Sequence, residues 1–211
     1  AVAWVDLTGV AAEDVVAEVA AAVAGDPGLD VSKLAGALGD ETLVVLDNCE
    51  EVIERVADFV DQLLGLHEGV RFLTTSREPL GLGGELTLRL AGLLAPDSLN
   101  VSNVDDLRQF PATRLFLEAA TAVQEVDTRS ARAIAKVCQL VDGMPLGIEL
   151  AAGLTDLLSP IDLLDRIETD IRILTSSRRD LPSRQRTLEA VVSSSLDRLR
   201  EAELDVLRAA A

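Results

Sequence analysis

The chain has 211 residues, enough for one large domain or two small ones with hydrophobic cores. Apolar residues make up 48% of it and aromatic residues only 2%, so the cores must consist of aliphatic side chains. The formal net charge of −17 would repel a phosphate backbone and argues against direct nucleic-acid contact. The charge is uneven, because residues 1–97 carry 18 acidic and only 5 basic side chains.

Cysteine content and hydropathy indicate the cellular compartment of the protein. Cys49 and Cys138 are too few for the disulfide framework of a secreted protein, and we expect two buried, reduced thiols. No apolar run approaches membrane-spanning length, and the N-terminus has no signal-peptide pattern. We therefore expect a cytoplasmic protein without membrane contact. Because the chain starts without Met, inside a strand-like run, we also expect it to be part of a longer protein.

The first half alternates strand and helix patterns. The four apolar residues at 43–46 predict a central strand of a parallel sheet, covered by helices on both faces. The apolar spacing predicts further strands at 1–7 and 70–75, an edge strand at 86–90, and helices at 11–24, 31–38 and 51–66. This order is typical of a doubly wound α/β sheet.

The second half has only helical patterns, which predict helices at 111–124, 129–142, 145–158 and 160–174. Thr128 and Ser159 fit N-caps, Pro160 fits a first helical position, and Gly143 fits the position after a helix end. Residues 178–186 form a charged link, and 187–199 begin another helix. The expected organisation is an α/β domain at 1–97, a helical domain at 98–178 and the start of a third domain at 179–211.

Polar residues follow two of the predicted strands. Asp47 and Asn48 follow one strand, and Thr75 and Arg77 follow the next. Both groups should lie along the edge of the sheet where ligands bind in α/β proteins. A carboxylate suits a Mg²⁺ shell, and an arginine suits phosphate oxygens. The plain alternative is that Asp47 caps the next helix and Arg77 forms a surface ion pair.

Three motifs carry a family resemblance. LVVLDNCE at 43–50 resembles the Walker B strand of the STAND, or NB-ARC-like, P-loop ATPases, and FLTTSRE at 72–78 resembles their sensor strand. GMPLGIELAA at 143–152 resembles their GLPLAIELAA motif. LPSRQRTLEAVVSSSLDRL at 181–199 resembles the opening helix of their winged-helix domain. Within that family, the chain is most similar to large bacterial regulators that carry a LuxR-type or similar DNA-binding domain.

The resemblance implies a nucleotide-dependent signalling switch in a transcriptional regulator, with ATP or ADP and Mg²⁺ held between an α/β and a helical domain. It implies a P-loop-like sheet, a helical domain and the start of a winged helix. Asp47 would help to hold Mg²⁺, Thr75 and Arg77 would sense the terminal phosphate, and Pro145 would pack near the adenine. Asn48 stands where many relatives have a second acid, which implies slow hydrolysis. Glu50 could act as a substitute base.

One family element has no counterpart in the chain. The phosphate-cradling loop, G-x-x-x-x-G-K-[ST], should precede the first strand, yet no Gly-Lys pair occurs in the sequence. We therefore expect weak nucleotide binding by this chain alone, or none. In the family, the strand of that loop separates the Walker B and sensor strands. Without it those two strands must pair directly, or another segment must fill the gap.

Two other functions fit parts of the sequence. A nucleotide-independent scaffold for protein interaction, with a degenerate ATPase fold, would explain the missing loop. A cysteine hydrolase would need Cys49 near His67, the only histidine, but helical spacing should place His67 at the far end of the following helix. The expected partners are other domains of the parent regulator, with self-association left open.

Overall fold

The computed structural model describes residues 1–120, 126–175, 187–196 and 201–210. The chain divides into two compact units, Ala1–Arg89 and Leu90–Ala211. The first unit contains a parallel sheet and the second is helical, which confirms the predicted fold class.

The first unit is built on three parallel strands in the order β1-β2-β3. They are β1 (Val2–Asp6), β2 (Thr42–Asp47) and β3 (Val70–Thr74). The helices are α1 (Val15–Ala24), α2 (Val31–Ala37) and α3 (Ile53–Leu66), with 3-10 turns at Ala12–Asp14 and Cys49–Glu51. All three strands and all three helices lie where the apolar spacing predicted them.

The second and third strands are direct neighbours. In their register Leu43 pairs with Arg71, and Leu46 pairs with Thr74. Of the two alternatives for the missing strand, the structure therefore shows direct pairing and not a segment that fills the gap.

Within the first unit, helices cover only one face of this sheet. Val5, Val44 and Leu46 belong to the same buried cluster as Phe59 and Leu63 of α3. On the opposite face, Val2 is 73% exposed, Trp4 65% and Leu73 56%. The prediction of helices on both faces of 43–46 is therefore wrong for the helices of this unit. The reason is topological, because right-handed crossovers that advance in one direction along a sheet place every helix on the same side.

Residues 86–90 form no strand, so the predicted edge strand is wrong. Leu86, Leu88 and Leu90 are 97%, 82% and 89% exposed. Alternation along a segment permits a strand, but the strand forms only where its backbone finds a partner.

The second unit is helical in the part that the structure describes, apart from one antiparallel bridge between Thr175 and Thr187. Its helices are α4 (Val104–Arg108), α5 (Pro111–Ala119), α6 (Thr128–Leu140), α7 (Pro145–Gly153), α8 (Pro160–Thr169), α9 (Leu188–Leu196) and α10 (Glu201–Ala210). A 3-10 turn at Ser98–Asn100 precedes α4, and others follow α7 and α8, at Leu154–Asp156 and Ile171–Ile173. A helix is present at each predicted place, but those predicted at 145–158 and 160–174 end earlier, at Gly153 and Thr169. The helix predicted at 111–124 ends at Ala119. Residues 121–124 and the whole charged link at 178–186 lie outside the described residues.

The predicted helix ends are confirmed in part. The Ser159 hydroxyl accepts a hydrogen bond from the Asp162 N–H, and Pro160 begins α8. The position predicted for Gly143 is off by one residue, because Val141 caps α6 and Asp142, with φ of +50°, directly follows that cap. Gly143, with φ of +63°, comes next, and its N–H donates to Cys138 O at 2.9 Å. The cap predicted at Thr128 is wrong, since the Asp127 carboxylate accepts from the Ser130 N–H at 2.8 Å and Thr128 is already helical.

Candidate functional site

The structure brings Asp47 and Thr75 together at the carboxyl end of the sheet. Asp47 ends β2, and its Oδ1 accepts a hydrogen bond from the Thr75 hydroxyl, just after β3. The Thr75 N–H donates to Leu46 O at 2.9 Å and extends the ladder by one residue. Direct strand pairing therefore sets the position of this contact.

Asn48 has an uncommon backbone conformation at this edge. Its φ is +60°, in the left-handed region that Asn tolerates better than most residues. Its N–H donates to Thr75 Oγ1 at 3.0 Å, and its side-chain amide donates to Asp6 Oδ1 at 2.9 Å. A carboxylate at position 48 would face Asp6 with like charge. The contact with Asp6 therefore explains an amide at position 48, where the family resemblance led us to expect a second acid.

Arg77 forms an ion pair with Glu50. Arg77 Nε lies 3.3 Å from Glu50 Oε1. The Glu50 side chain is only 9% exposed and that of Arg77 is 36% exposed. The pair places Arg77 against the turn after β2. A phosphate that bound Arg77 through its Nε would have to replace Glu50 there.

Acidic groups outnumber basic groups at this edge. Asp6 and Asp47 are register partners on neighbouring strands, and Asp6 also accepts from the Thr8 N–H at 2.9 Å. The Gly9 N–H donates to Glu51 Oε2 at 3.2 Å. These backbone N–H groups, which could otherwise face an anion, bond to the protein's own carboxylates. The edge is therefore better suited to a cation than to a bare phosphate.

The carboxylates at this edge provide some of the ligands that a hydrated magnesium ion needs. Mg²⁺ keeps several waters and takes one or two carboxylates in phosphate-handling sites, and Asp47 with Asp6 next to it offers those oxygens. Among the residues that the structure describes, no group of three or more His, Cys, Asp or Glu side chains is placed to hold a metal. Among the site residues that the sequence predicted, Arg77 is the one cation that could pair with a phosphate group.

Cys49 does not have the properties of a nucleophile. Burial, reinforced by the Glu50 and Asp47 carboxylates, raises its pKa to about 12, so the thiol stays protonated at neutral pH. Its Sγ donates to Leu46 O at 3.4 Å. His67 lies beyond the 14-residue helix α3, about 20 Å along the axis, and its Nδ1 accepts from the Gly69 N–H. The structure contradicts the cysteine hydrolase hypothesis.

Pro145 lies in the second unit, at the start of α7. It is exposed and takes the first helical position, where its missing N–H costs nothing. Gly143, two residues earlier, accepts a hydrogen bond from the Leu93 N–H at 2.8 Å. The motif at 143–152 thus has a local role as a tight joint between α6 and α7. The predicted role of Pro145 near an adenine stays a prediction.

Sequence reasoning left out Asp6 and the pairing of Glu50 with Arg77. Asp6 ends a parallel strand, so the rule that identified Asp47 would also have identified it. No sequence signal identifies the ion pair, because it joins two loops that meet only through the pairing of β2 with β3.

The chain is similar to mycobacterial proteins over nearly its whole length. It is 32% identical over 213 residues to a Mycobacterium tuberculosis protein named "putative HTH-type transcriptional regulator", and equally to one of that name in Mycobacterium bovis. The match covers 97% of this chain and 23% of each relative, so the chain spans about a quarter of their length. An uncharacterized M. tuberculosis protein is 33% identical over 174 residues, 80% of this chain and 41% of that protein.

Two other comparisons gave no match. No protein-family model matches the chain, and no solved structure matches it. Within the described part of the chain, no helix is long and apolar enough to cross a membrane.

Proposed function

We propose that this chain is part of an HTH-type transcriptional regulator and acts there as a nucleotide-responsive switch. The observation that carries the regulator role is the similarity over 97% of the chain to proteins of that name. The chain's excess of acidic over basic residues favours a role away from the DNA over direct contact.

The nucleotide part of the proposal rests on the polar residues at the carboxyl end of the sheet. Asp47 would hold Mg²⁺, which supplies charge neutralisation at the phosphates, while Thr75 orients the carboxylate through its hydroxyl. Arg77 would leave Glu50 for the terminal phosphate. Asn48 offers an amide where a carboxylate could serve as base, so slow turnover is expected. Pro145 is proposed to contact the adenine.

The Arg77–Glu50 pair is the proposed two-state contact. A ligand shifts a conformational equilibrium only by binding one state better than the other. A terminal phosphate that takes Arg77 from Glu50 meets this condition, because ADP lacks the competing group. In this proposal, ATP and ADP therefore favour different arrangements of the turn after β2.

The test is calorimetric titration of the chain with Mg-ATP, with ADP and with MgCl₂ alone. We expect Mg-dependent binding with a Kd in roughly the millimolar range, about −4 kcal/mol, because the chain has no Gly-Lys phosphate loop. Asp47→Asn should abolish it. Asp40→Asn, which removes an acid before β2 at the opposite end of the strand, is the matched control and should bind like the parent.

Two results would count against the proposal. Binding that survives Asp47→Asn would place the ligand elsewhere, and micromolar affinity would contradict the expected weakness. Absence of binding by this chain and also by a version extended upstream by about one βα unit would favour a second candidate, a nucleotide-independent scaffold. Two observations support that candidate, namely the direct pairing of β2 with β3 and the engagement of Thr75 and Arg77 by the protein's own carboxylates.

A further inference from the structure

A groove in the second unit has an almost entirely apolar surface, to which three basic residues contribute mainly the aliphatic parts of their side chains. It has a volume of about 340 Å³ and lies along α6, between α8 and the 3-10 turn at Ser98–Asn100. Arg129, Arg132 and Lys136 line it together with apolar side chains, and its described lining includes no acidic residue. The apolar floor consists mainly of Leu99, Ile161 and Leu164.

The three cations stand on one stripe of α6. Their spacing of three and then four residues places them on the same helix face, over about 10 Å of axis. The chain has 36 acidic and 19 basic residues, but no acidic residue lies between Arg129 and Lys136. This stretch of α6 is therefore positively charged in an otherwise acidic chain. Lys136 is half-buried and makes no ion pair with any described residue.

The wall opposite α8 is held in place by hydrogen bonds. Gln139 Nε2 donates to Pro96 O at 2.7 Å, and the Thr128 hydroxyl donates to Ser102 O at 2.9 Å. Arg132 Nε donates to Val101 O at 3.3 Å. These contacts tie the 96–102 segment to α6, so the groove exists before any ligand arrives and binding need not order it.

We infer that this groove is a docking site for an acidic amphipathic helix of a partner protein. Leu99, Ile161 and Leu164 would receive the apolar stripe of that helix, and Arg129, Arg132 and Lys136 would pair with carboxylates one to two turns apart. A small anion would meet only one or two of the cations. A nucleic acid would gain little from the apolar floor and would be repelled by the rest of the chain.

The probe is a fluorescent synthetic peptide of about 15 residues, roughly four turns, with leucines on one face and glutamates beside them. Anisotropy titration should show saturable binding that weakens as salt rises. A peptide of the same composition with a scrambled order, and one with Gln for every Glu, should each bind about tenfold more weakly or not at all. The Gln peptide tests the charge requirement without altering the protein.

Protein variants test the groove itself. Arg129→Glu/Lys136→Glu should weaken peptide binding by at least about tenfold. Arg108→Glu/Arg114→Glu changes the net charge equally at exposed arginines outside the groove and should leave binding unchanged. Ile161→Ser should also weaken binding, while Leu157→Ser, at a residue that is 84% exposed and outside the groove, should not.

Three results would overturn the inference. Equal losses in both double variants would mean that only net charge matters. Binding of a DNA duplex that depends on Arg129 and Lys136 but not on Ile161 would assign the groove to a phosphate backbone instead. Absence of peptide binding to a protein whose circular dichroism shows a folded state would remove the docking role. None of these results bears on Asp47, so the proposed switch is tested separately.

Discussion

Gly143→Ala should strongly destabilise the helical unit, because two independent features require glycine there. An alanine at φ of +63° costs roughly 1–2 kcal/mol. Its Cβ would also lie 2.0 Å from Leu93 O, so the two backbones must separate and the Leu93 N–H···O=C Gly143 hydrogen bond is lost. A lost hydrogen bond of this kind costs about 1 kcal/mol. The expected fall in the free energy of unfolding is therefore about 2–3 kcal/mol.

The assay is urea unfolding followed by circular dichroism at the helical minimum, without nucleotide. The midpoint for Gly143→Ala should fall by roughly 1 M, given the usual dependence on urea for a unit of this size. Gly153→Ala is the matched control, because Gly153 has φ of −62° at the end of α7 and an added Cβ would point into open space there. That variant should be neutral or stabilised by up to about 1 kcal/mol.

The reasoning would be refuted if both alanine variants behaved alike, or if Gly143→Ala unfolded at the parent's midpoint. Either result would mean that neither the positive φ nor the close approach of Leu93 requires a glycine at position 143. The expected result would give Gly143 a folding role that needs no ligand.

Two further predictions concern the sheet edge and the thiols. Asn48→Ala should lower stability by about 1–2 kcal/mol, because alanine is disfavoured at φ of +60°, and Asn48→Gly should lower it less; equal melting of the two variants would contradict this. Burial raises the pKa of Cys49 and of Cys138 from 9.0 to about 12. Their contribution to stability is therefore fully present below pH 9.0 and is lost as pH rises toward 12. Urea midpoints across this range should fall less steeply in Cys49→Ala/Cys138→Ala, and equal slopes would show that the thiols do not contribute.

Helix positions were predictable because their signals are local. Apolar spacing identified α3 and α6, and Ser159 with Pro160 marked the start of α8 within one turn of chain. The cap of α6 shows where local information stops. Asp127 and Thr128 are both good caps, and the Thr128 hydroxyl instead donates to Ser102, 26 residues away. Only the tertiary structure decided between them.

The candidate site was predictable only in part. The rule that parallel strands end at one edge was sufficient to bring Asp47 and Thr75 together. It said nothing about the hydrogen bond between Asn48 and Asp6 or the ion pair of Glu50 with Arg77, which depend on loop conformations. Asparagine suits position 48 because it tolerates the left-handed backbone and because its amide, unlike a carboxylate, can donate to Asp6. Both reasons became visible only in the structure.

The sequence by itself determined the elements of this protein, their α/β-then-helical order and the polar ends of two strands. These follow from interactions within a few residues, which apolar period and turn chemistry report directly. The tertiary structure decided that β2 pairs directly with β3, that Trp4 lies on an exposed sheet face, and that residues 86–90 remain unpaired. It also placed three basic residues of α6 beside an apolar floor from two other segments. Such arrangements depend on strand order and on which backbones meet, and residues far apart in the chain determine both.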